Sequence, residues 1–327
     1  MRGRLCRCVL AGSGAILALG LSAAAAAAAG PPELAVTKVT LADLPGRPPY
    51  ITLDESSRAS GFVVWVSIRN TGGSRSGKSV VALKLEEKDK QKWFDDKFID
   101  PMPPTPRRGK PKLVKFVVDN LEADPGFLTA TATVKWVTNA THQKTDSDSA
   151  KPIAVIARDW NVSYFHTKVN ENGVGPSTDT YAEGKLMYRF SRLDQSAQEF
   201  VYKAYGQVTN VASYSAGTCT GRATANKTQN PWPGAGSELR ISSKLTSYSA
   251  GVQTKSQPPL MFTAMCPGTG FGIPVQLGWE DLTTFTGSNG APSMTPDKTT
   301  LTDQGSRQSP VGEVKYLWSF NARLSGA

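Results

Sequence analysis

Residues 61–70, GFVVWVSIRN, restrict the fold more than any other stretch of the chain. Apolar side chains fall on both faces of an extended backbone, and the run stops at Asn70-Thr71-Gly72-Gly73, a turn signal. A short β-branched and aromatic run bounded in this way reads as a strand buried on both sides. The segments around it read as further strands. Residues 34–41, LAVTKVTL, alternate apolar and polar. Residues 79–85 place Val81, Leu83 and Leu85 on one face, and residues 93–99 read as a short extra strand. Residues 101–111, rich in proline, are expected to form an exposed loop, because proline cannot serve a central ladder. Residues 112–118 and 127–137 follow as strands, the second with Leu128, Ala130, Ala132, Val134 and Trp136 on one face. Residues 138–149 read as a polar turn, and residues 152–157 close the set.

The second half repeats this rhythm. Strands are expected at 160–169, 182–191, 200–214, 238–248, 260–265, 273–285 and 314–324, with a turn-rich gap at 170–180. In the 238–248 strand Leu239, Ile241, Ser243 and Leu245 face inward; in the last, Tyr316, Trp318, Phe320 and Ala322 share a face. No stretch carries a convincing helical period. The expectation is an all-β protein of two antiparallel β-sandwich domains in tandem, residues 33–157 and residues 158–327.

Residues 1–29 stand apart from this pattern. Arg2, Arg4 and Arg7 precede an apolar run that ends in alanines offering A-x-A sites, the layout of a signal peptide cleaved near Ala29. The alternative is an uncleaved anchor, since the run is about long enough to span a bilayer. Cleavage would remove three of the 37 Lys and Arg, leaving 34 against 27 Asp and Glu, a net charge of +7 spread over both halves. An even, mild excess serves solubility and lacks the basic block of a nucleic-acid binder. Of the four cysteines, Cys6 and Cys8 lie before the apolar run, and Cys219 and Cys266 remain. A lone pair in an exported chain is expected to form one disulfide. A zinc site or catalytic thiol is the weaker alternative, because the chain has only two histidines, His142 and His166.

The segments LAVTKVTL, VVWVSIRNTGGSRSGKSVVALKL, TATATVKW and IAVIA, in this order, resemble a CARDB-type domain, the cell adhesion related domain found in bacteria. The resemblance rests on a central strand ending in Asn-x-Gly, a second glycine at Gly77 and a following apolar strand, and it covers about residues 33–157. In place of the acidic, asparagine-rich segment usual before that family's last strand, this chain has TNATHQKTDSDSA. The resemblance implies an immunoglobulin-like fold, a bacterial source, and a spacer or adhesive module without catalytic residues. The second half resembles no family that its residues identify.

Several motifs invite a chemical reading. Residues 72–79, GGSRSGKS, match the letters of a P-loop, but that motif must open a helix in a parallel α/β sheet, and here alternating valines follow. Glu280-Asp281 and Asp95-Asp96 are adjacent acids; neighbours on a strand point to opposite faces, so neither pair is a hydrolytic dyad by itself. His142 sits in the expected polar turn and His166 reads as a half-buried strand histidine; neither has a recognisable nucleophile motif. Asp146-Ser147-Asp148 offers too few oxygens for calcium. The sequons at Asn139, Asn161 and Asn226 are expected to stay bare in a bacterium.

Residues 218–236, TCTGRATANKTQNPWPGAG, read as a long polar loop. Trp232, between two prolines, is either a ring that stacks on a sugar face or a plug over the end of the sandwich; Arg222 and Lys227 of the same loop are most simply solvated charges. The reading is an exported, non-enzymatic surface or secreted protein with a binding or adhesion role. Its expected partner is a protein or a cell-surface polysaccharide, with no nucleic acid, no cofactor, no metal and no membrane span after cleavage. The alternatives are a carbohydrate-binding protein using the loop around Trp232, and a structural spacer of an envelope assembly.

Overall fold

In a computed structural model, the residues described are 30–41, 50–54, 58–59, 61–106, 109–139, 142–170, 177–228, 237–252, 260–277, 293–308 and 314–325. The expected signal peptide, residues 1–29, lies outside them. The all-β expectation is borne out: every regular element among the described residues is a strand.

The first half comprises β1 (Leu34–Leu41), β2 (Tyr50–Thr52), β3 (Arg58–Ala59), β4 (Phe62–Asn70), β5 (Ser79–Glu87), β6 (Lys90–Ile99), β7 (Lys112–Val118), β8 (Leu121–Glu122), β9 (Gly126–Asn139), β10 (His142–Ser149) and β11 (Ile153–Ile156). One sheet has the order β1-β4-β7; the facing sheet has the order β2-β11-β9-β5-β6, with β10 added on β9. All these pairings are antiparallel except β2 with β11, which run parallel. Val64, Val66 and Ile68 of β4 meet Val81, Leu83 and Leu85 of β5 and Leu128 to Trp136 of β9 in one core. The β5–β6 hairpin turns through Lys88 and Asp89, both at positive φ, the geometry whose twist matches paired strands.

Asn70 ends β4 fully buried and ties four backbone groups together. Its Nδ2 donates to Ser74 O (2.8 Å) and Met102 O (2.9 Å). Its Oδ1 accepts from Glu33 N (3.2 Å) and Gly72 N (3.1 Å). Gly72 has to be glycine, since a Cβ there would lie 2.2 Å from Pro31 O. The proline-rich segment is therefore not wholly exposed: Met102 enters the core and Thr105 N donates to Asn70 O. Residues 142–149 also differ from expectation. They form β10, because Gln143 to Ser149 keep a residue-by-residue register with β9 although none is apolar.

The second half comprises β12 (Asp159–Asn170), β13 (Ser177–Asp194), β14 (Glu199–Ala216), β15 (Cys219–Thr228), β16 (Glu238–Ser242), β17 (Tyr248–Ala250), β18 (Leu260–Met265), β19 (Gly272–Leu277), β20 (Ser293–Met294), β21 (Thr300–Gln308) and β22 (Val314–Leu324). These strands form one sheet in the order β19-β18-β15-β14-β13-β12-β22-β21-β20. β14 changes partner along its length: Glu199–Lys203 pair with β16 and Gln207–Ala216 with β15. Gly206 sits at this fork with φ +112°, where a Cβ would lie 2.8 Å from Lys185 O. The fork lets β16 and β17 fold over the inner face. Tyr248 stacks on Phe320, and Tyr188 Oη donates to Gly251 O at 2.6 Å. The expected single strand at 238–248 is thus two strands, with a turn at which Leu245 takes φ +53° and stays buried.

The two cores meet on β11. Ile153 and Val155 enter the first, Ala154 and Ile156 the second. Tyr50 of the neighbouring β2 packs edge-on against Phe190 and Phe200.

Candidate functional site

The disulfide is present: Cys219 and Cys266 are bonded, joining the start of β15 to the residue after β18. The expected loop at 218–236 is, over its first part, the strand β15, paired along its length with β14. Its two-residue period is written in small and polar residues. Thr220, Arg222, Thr224 and Asn226 alternate with Cys219, Gly221, Ala223 and Ala225. Gly221 is required by close approach, since a Cβ there would lie 2.8 Å from Ala264 Cα. Arg222 is exposed on the outer face opposite Ser213, and the backbone of Lys227 pairs with Val208. Trp232, Trp279, Glu280 and Asp281 lie outside the described residues.

The remaining motifs are absorbed by the fold. The GGSRSGKS stretch leads into strand β5; Ser79 Oγ donates to Gly77 O (3.1 Å), and Met102 N donates to Ser76 Oγ (2.9 Å). His166 is buried on β12, more deeply than expected, and stacks on Tyr316 with ring centroids 6.3 Å apart. Asp146 Oδ2 accepts from Val36 N at 2.7 Å, and Asp148 Oδ1 from Ser149 N at 2.9 Å. Burial pushes the Glu238 carboxyl up, but hydrogen bonds from Lys203 and Arg240 outweigh it and hold the group below its ordinary value. Arg240 also pairs with Glu199 at 3.2 Å. This network clamps β16 to β14.

Two surfaces remain with exposed chemistry. The first is the edge strand β6, which among the described residues pairs only with β5. Its odd positions turn inward, with Ile99 buried and Trp93 packed on the core. Phe94 and Phe98 therefore point out and are 54% and 80% exposed. β7, the edge of the facing sheet, presents Leu113 and Val117 to solvent. Lys97 bridges the two edges: its Nζ donates to Lys115 O (2.8 Å) and lies 5.3 Å from the Phe116 ring centre. A long edge with exposed aromatic side chains is a template for another strand. Charges at Lys90, Lys92, Asp95 and Asp96 along β6 restrict which strand that is.

The second surface is a shallow groove of about 720 Å³ on the outer face of β12, β13, β14 and β22. Asn161, Ser163, Lys185, Tyr205, Asn321 and Arg323 line it. The register sets Ser163 between Lys185 and Asn321, and Asn161 between Met187 and Arg323. A smaller depression of about 390 Å³ adjoins it, sharing Ser163 and Lys185 and adding Glu183, Gln207 and Thr209. The Arg189 guanidinium lies 5.9 Å from the Tyr205 ring centre. Tyr181 Oη donates to Glu183, and this hydrogen bond, then burial, pushes the phenol up. Amides, hydroxyls, two cations and one aromatic ring on an open sheet face can hydrogen-bond a polyhydroxylated chain.

No protein-family model matches the chain, and no curated protein and no solved structure matches it either. The functional reading therefore rests on the residues and their geometry.

Sequence reasoning did not single out either surface. The signal for the first was present in KQKWFDDKFI, where aromatic residues occupy both parities of one strand, so one parity has to face solvent or a partner. The groove had no such signal, because its residues come from four strands and are individually ordinary.

Proposed function

We propose that this is an exported, non-enzymatic protein with a binding or adhesion role, and that it docks a protein partner along the β6 edge. The observation that carries this reading is a ten-residue edge strand that, among the described residues, is paired on one side only and whose outward positions include Phe94 and Phe98. An edge of that length left bare invites uncontrolled association, and a partner strand would satisfy its amides while covering both rings. The CARDB-like pattern of residues 33–157 agrees with an adhesive module. The polar groove supports a second reading, recognition of an extended polysaccharide through Lys185, Tyr205 and Arg323.

One experiment separates the two. The purified protein is titrated onto cell envelopes, beside a Phe94→Ser/Phe98→Ser variant and a Lys185→Gln/Tyr205→Ala/Arg323→Gln variant. Loss of binding in the first pair alone supports the β6 edge; loss in the second set alone supports the saccharide reading. Unchanged binding in both refutes both placements.

A further inference from the structure

We propose that the tip of the β18–β19 hairpin inserts into the surface of an anionic phospholipid bilayer. The hairpin pairs Leu260–Met265 with Gly272–Leu277 and turns through Cys266-Pro267-Gly268-Thr269-Gly270-Phe271. Phe271 at the tip is 77% exposed; Met261 and Met265 are exposed on one face, and Ile273, paired with Ala264, is partly exposed on the other. Large apolar side chains are thus bare at the tip and on both faces next to it, where a soluble chain gains nothing from them.

Three observations select a lipid surface over a protein. The first is shape. The tip is a six-residue turn at the end of the edge hairpin of the large sheet, smaller than the flat area of about 1,000 Å² that a specific protein interface needs, and it suits shallow insertion between headgroups.

The second is backbone satisfaction. A segment entering a low-polarity layer has to meet its own polar groups, and this turn meets part of them internally. Cys266 N donates to Phe271 O (3.3 Å), and Thr269 N and Oγ1 both donate to Cys266 O (3.3 and 2.9 Å). Phe271 N donates in turn to Thr269 Oγ1 (3.3 Å). Gly268 and Gly270 take φ +85° and +69°, so the turn holds this shape without strain. The disulfide anchors Cys266 to the start of β15, which fixes one side of the turn and limits the ordering cost of insertion.

The third is charge. The even balance between the two halves of the chain hides a local bias: residues 200–279 contain six Lys and Arg and one acid, Glu238. Residues 219–228 and 260–277, which build the hairpin and the strand behind it, contain no acid and two cations, Arg222 and Lys227. Thr220 pairs with Met265, so Arg222, two residues along, shares the outer face with the exposed methionines. It is exposed and makes no ion pair among the described residues. A cation beside an inserted apolar tip is placed to meet lipid phosphate while its stem lies along the apolar layer.

The test is vesicle flotation of the purified protein with phosphatidylglycerol/phosphatidylcholine vesicles and with pure phosphatidylcholine. Wild type, Phe271→Ser, Arg222→Gln and the β6 variant Phe98→Ser are compared, all with the same N-terminus. Wild type is expected to float with the anionic vesicles only. Phe271→Ser should weaken binding by roughly tenfold or more, from the lost burial of one phenyl ring. Arg222→Gln should weaken it and flatten its salt dependence, and Phe98→Ser should leave it unchanged. A Phe271→Trp variant should shift its emission to the blue on anionic vesicles. No flotation of wild type, equal flotation of Phe271→Ser, or no emission shift overturns the proposal. Concentration-dependent self-association that Phe271→Ser abolishes would assign the tip to a second copy of the chain and overturn it as well.

Discussion

Replacing Asn70 should destabilise the first half of the protein more than any other single polar substitution there. Asn70→Ala removes four hydrogen bonds at once. Met102 O keeps the bond from Ser76 N, so three groups are orphaned: Glu33 N, Gly72 N and Ser74 O. A buried group left unsatisfied costs about 1–3 kcal/mol. Water reaches part of the cluster, which places the expected loss at about 3–4 kcal/mol. Urea unfolding followed by tryptophan fluorescence reads it directly, because Trp136 is buried in the same core and donates to Pro32 O at 3.1 Å. Asn70→Asp separates this account from simple loss of packing. One carboxylate oxygen can still accept from the two amides, while the other faces the carbonyls of Ser74 and Met102. Burial and those carbonyls raise the folded pKa of the new carboxyl above its unfolded value of about 3.9. The folded state then binds the proton more tightly. The penalty is absent below the unfolded pKa and grows as pH rises through the folded one. Asn70→Asp should therefore approach wild type at pH 4 and be worst near pH 7. A loss under about 1 kcal/mol for the alanine variant, or an aspartate penalty that is the same at both pH values, would refute the reasoning.

Other expectations follow from buried pairs and from the disulfide. Reduction, or Cys219→Ser with Cys266→Ser, opens a loop with a sequence separation of 47 and should cost up to about 4 kcal/mol, read as a lower Tm. Asp159 is buried and takes hydrogen bonds from Arg189 at 3.0 and 3.5 Å. Asp159→Ala should cost about 2–3 kcal/mol in urea melts, less than a fully buried pair because the guanidinium is partly solvated. Burial pushes the Asp303 carboxyl up, against the hydrogen bond from Trp318 Nε1 at 3.4 Å. With its folded pKa raised, Asp303 costs stability as pH rises past about 4. Asp303→Asn should thus raise Tm at pH 7 and do little at pH 4; an equal or opposite effect at pH 7 would show that the carboxylate is well housed.

The apolar strands of the first half were legible because their alternation is strict. Leu128, Ala130, Ala132, Val134 and Trp136 share the buried face that their spacing dictates, as do Val81, Leu83 and Leu85. The elements that the sequence concealed are those whose inward face is not apolar. β10 shows only polar residues, and β15 hides its period in alternating small and polar side chains. β21, TLTDQGSRQ, has one leucine; its place is set by pairing with β22, where the Trp318 ring lies over Gly305. In each case the neighbour supplies the order, so the strand's own composition carries little information. The hairpin at β16–β17 failed for a different reason. Leu239, Ile241 and Leu245 fit one alternating strand on paper, and only the positive φ of Leu245 shows that the chain turns before it.

The candidate surfaces were harder to read than the fold, and for a single physical reason. Periodicity reveals that a side chain lies on one face of a strand; it does not reveal what covers that face. Phe98 and Phe116 are both phenylalanines on regular strands, yet one is 80% exposed and the other fully buried. Both sit on edge strands, β6 and β7; the difference is the face, since Phe98 takes the outward parity of β6 while Phe116 points between the two sheets. The same holds for Met265 and Phe271 at the far edge of the large sheet. Edges are a property of strand order, which depends on pairings between residues far apart in the chain. A chain that keeps large apolar side chains at two separate edges carries a standing aggregation risk. That it keeps them at β6 and again at the tip of a disulfide-anchored hairpin argues that both are contacts rather than accidents of composition.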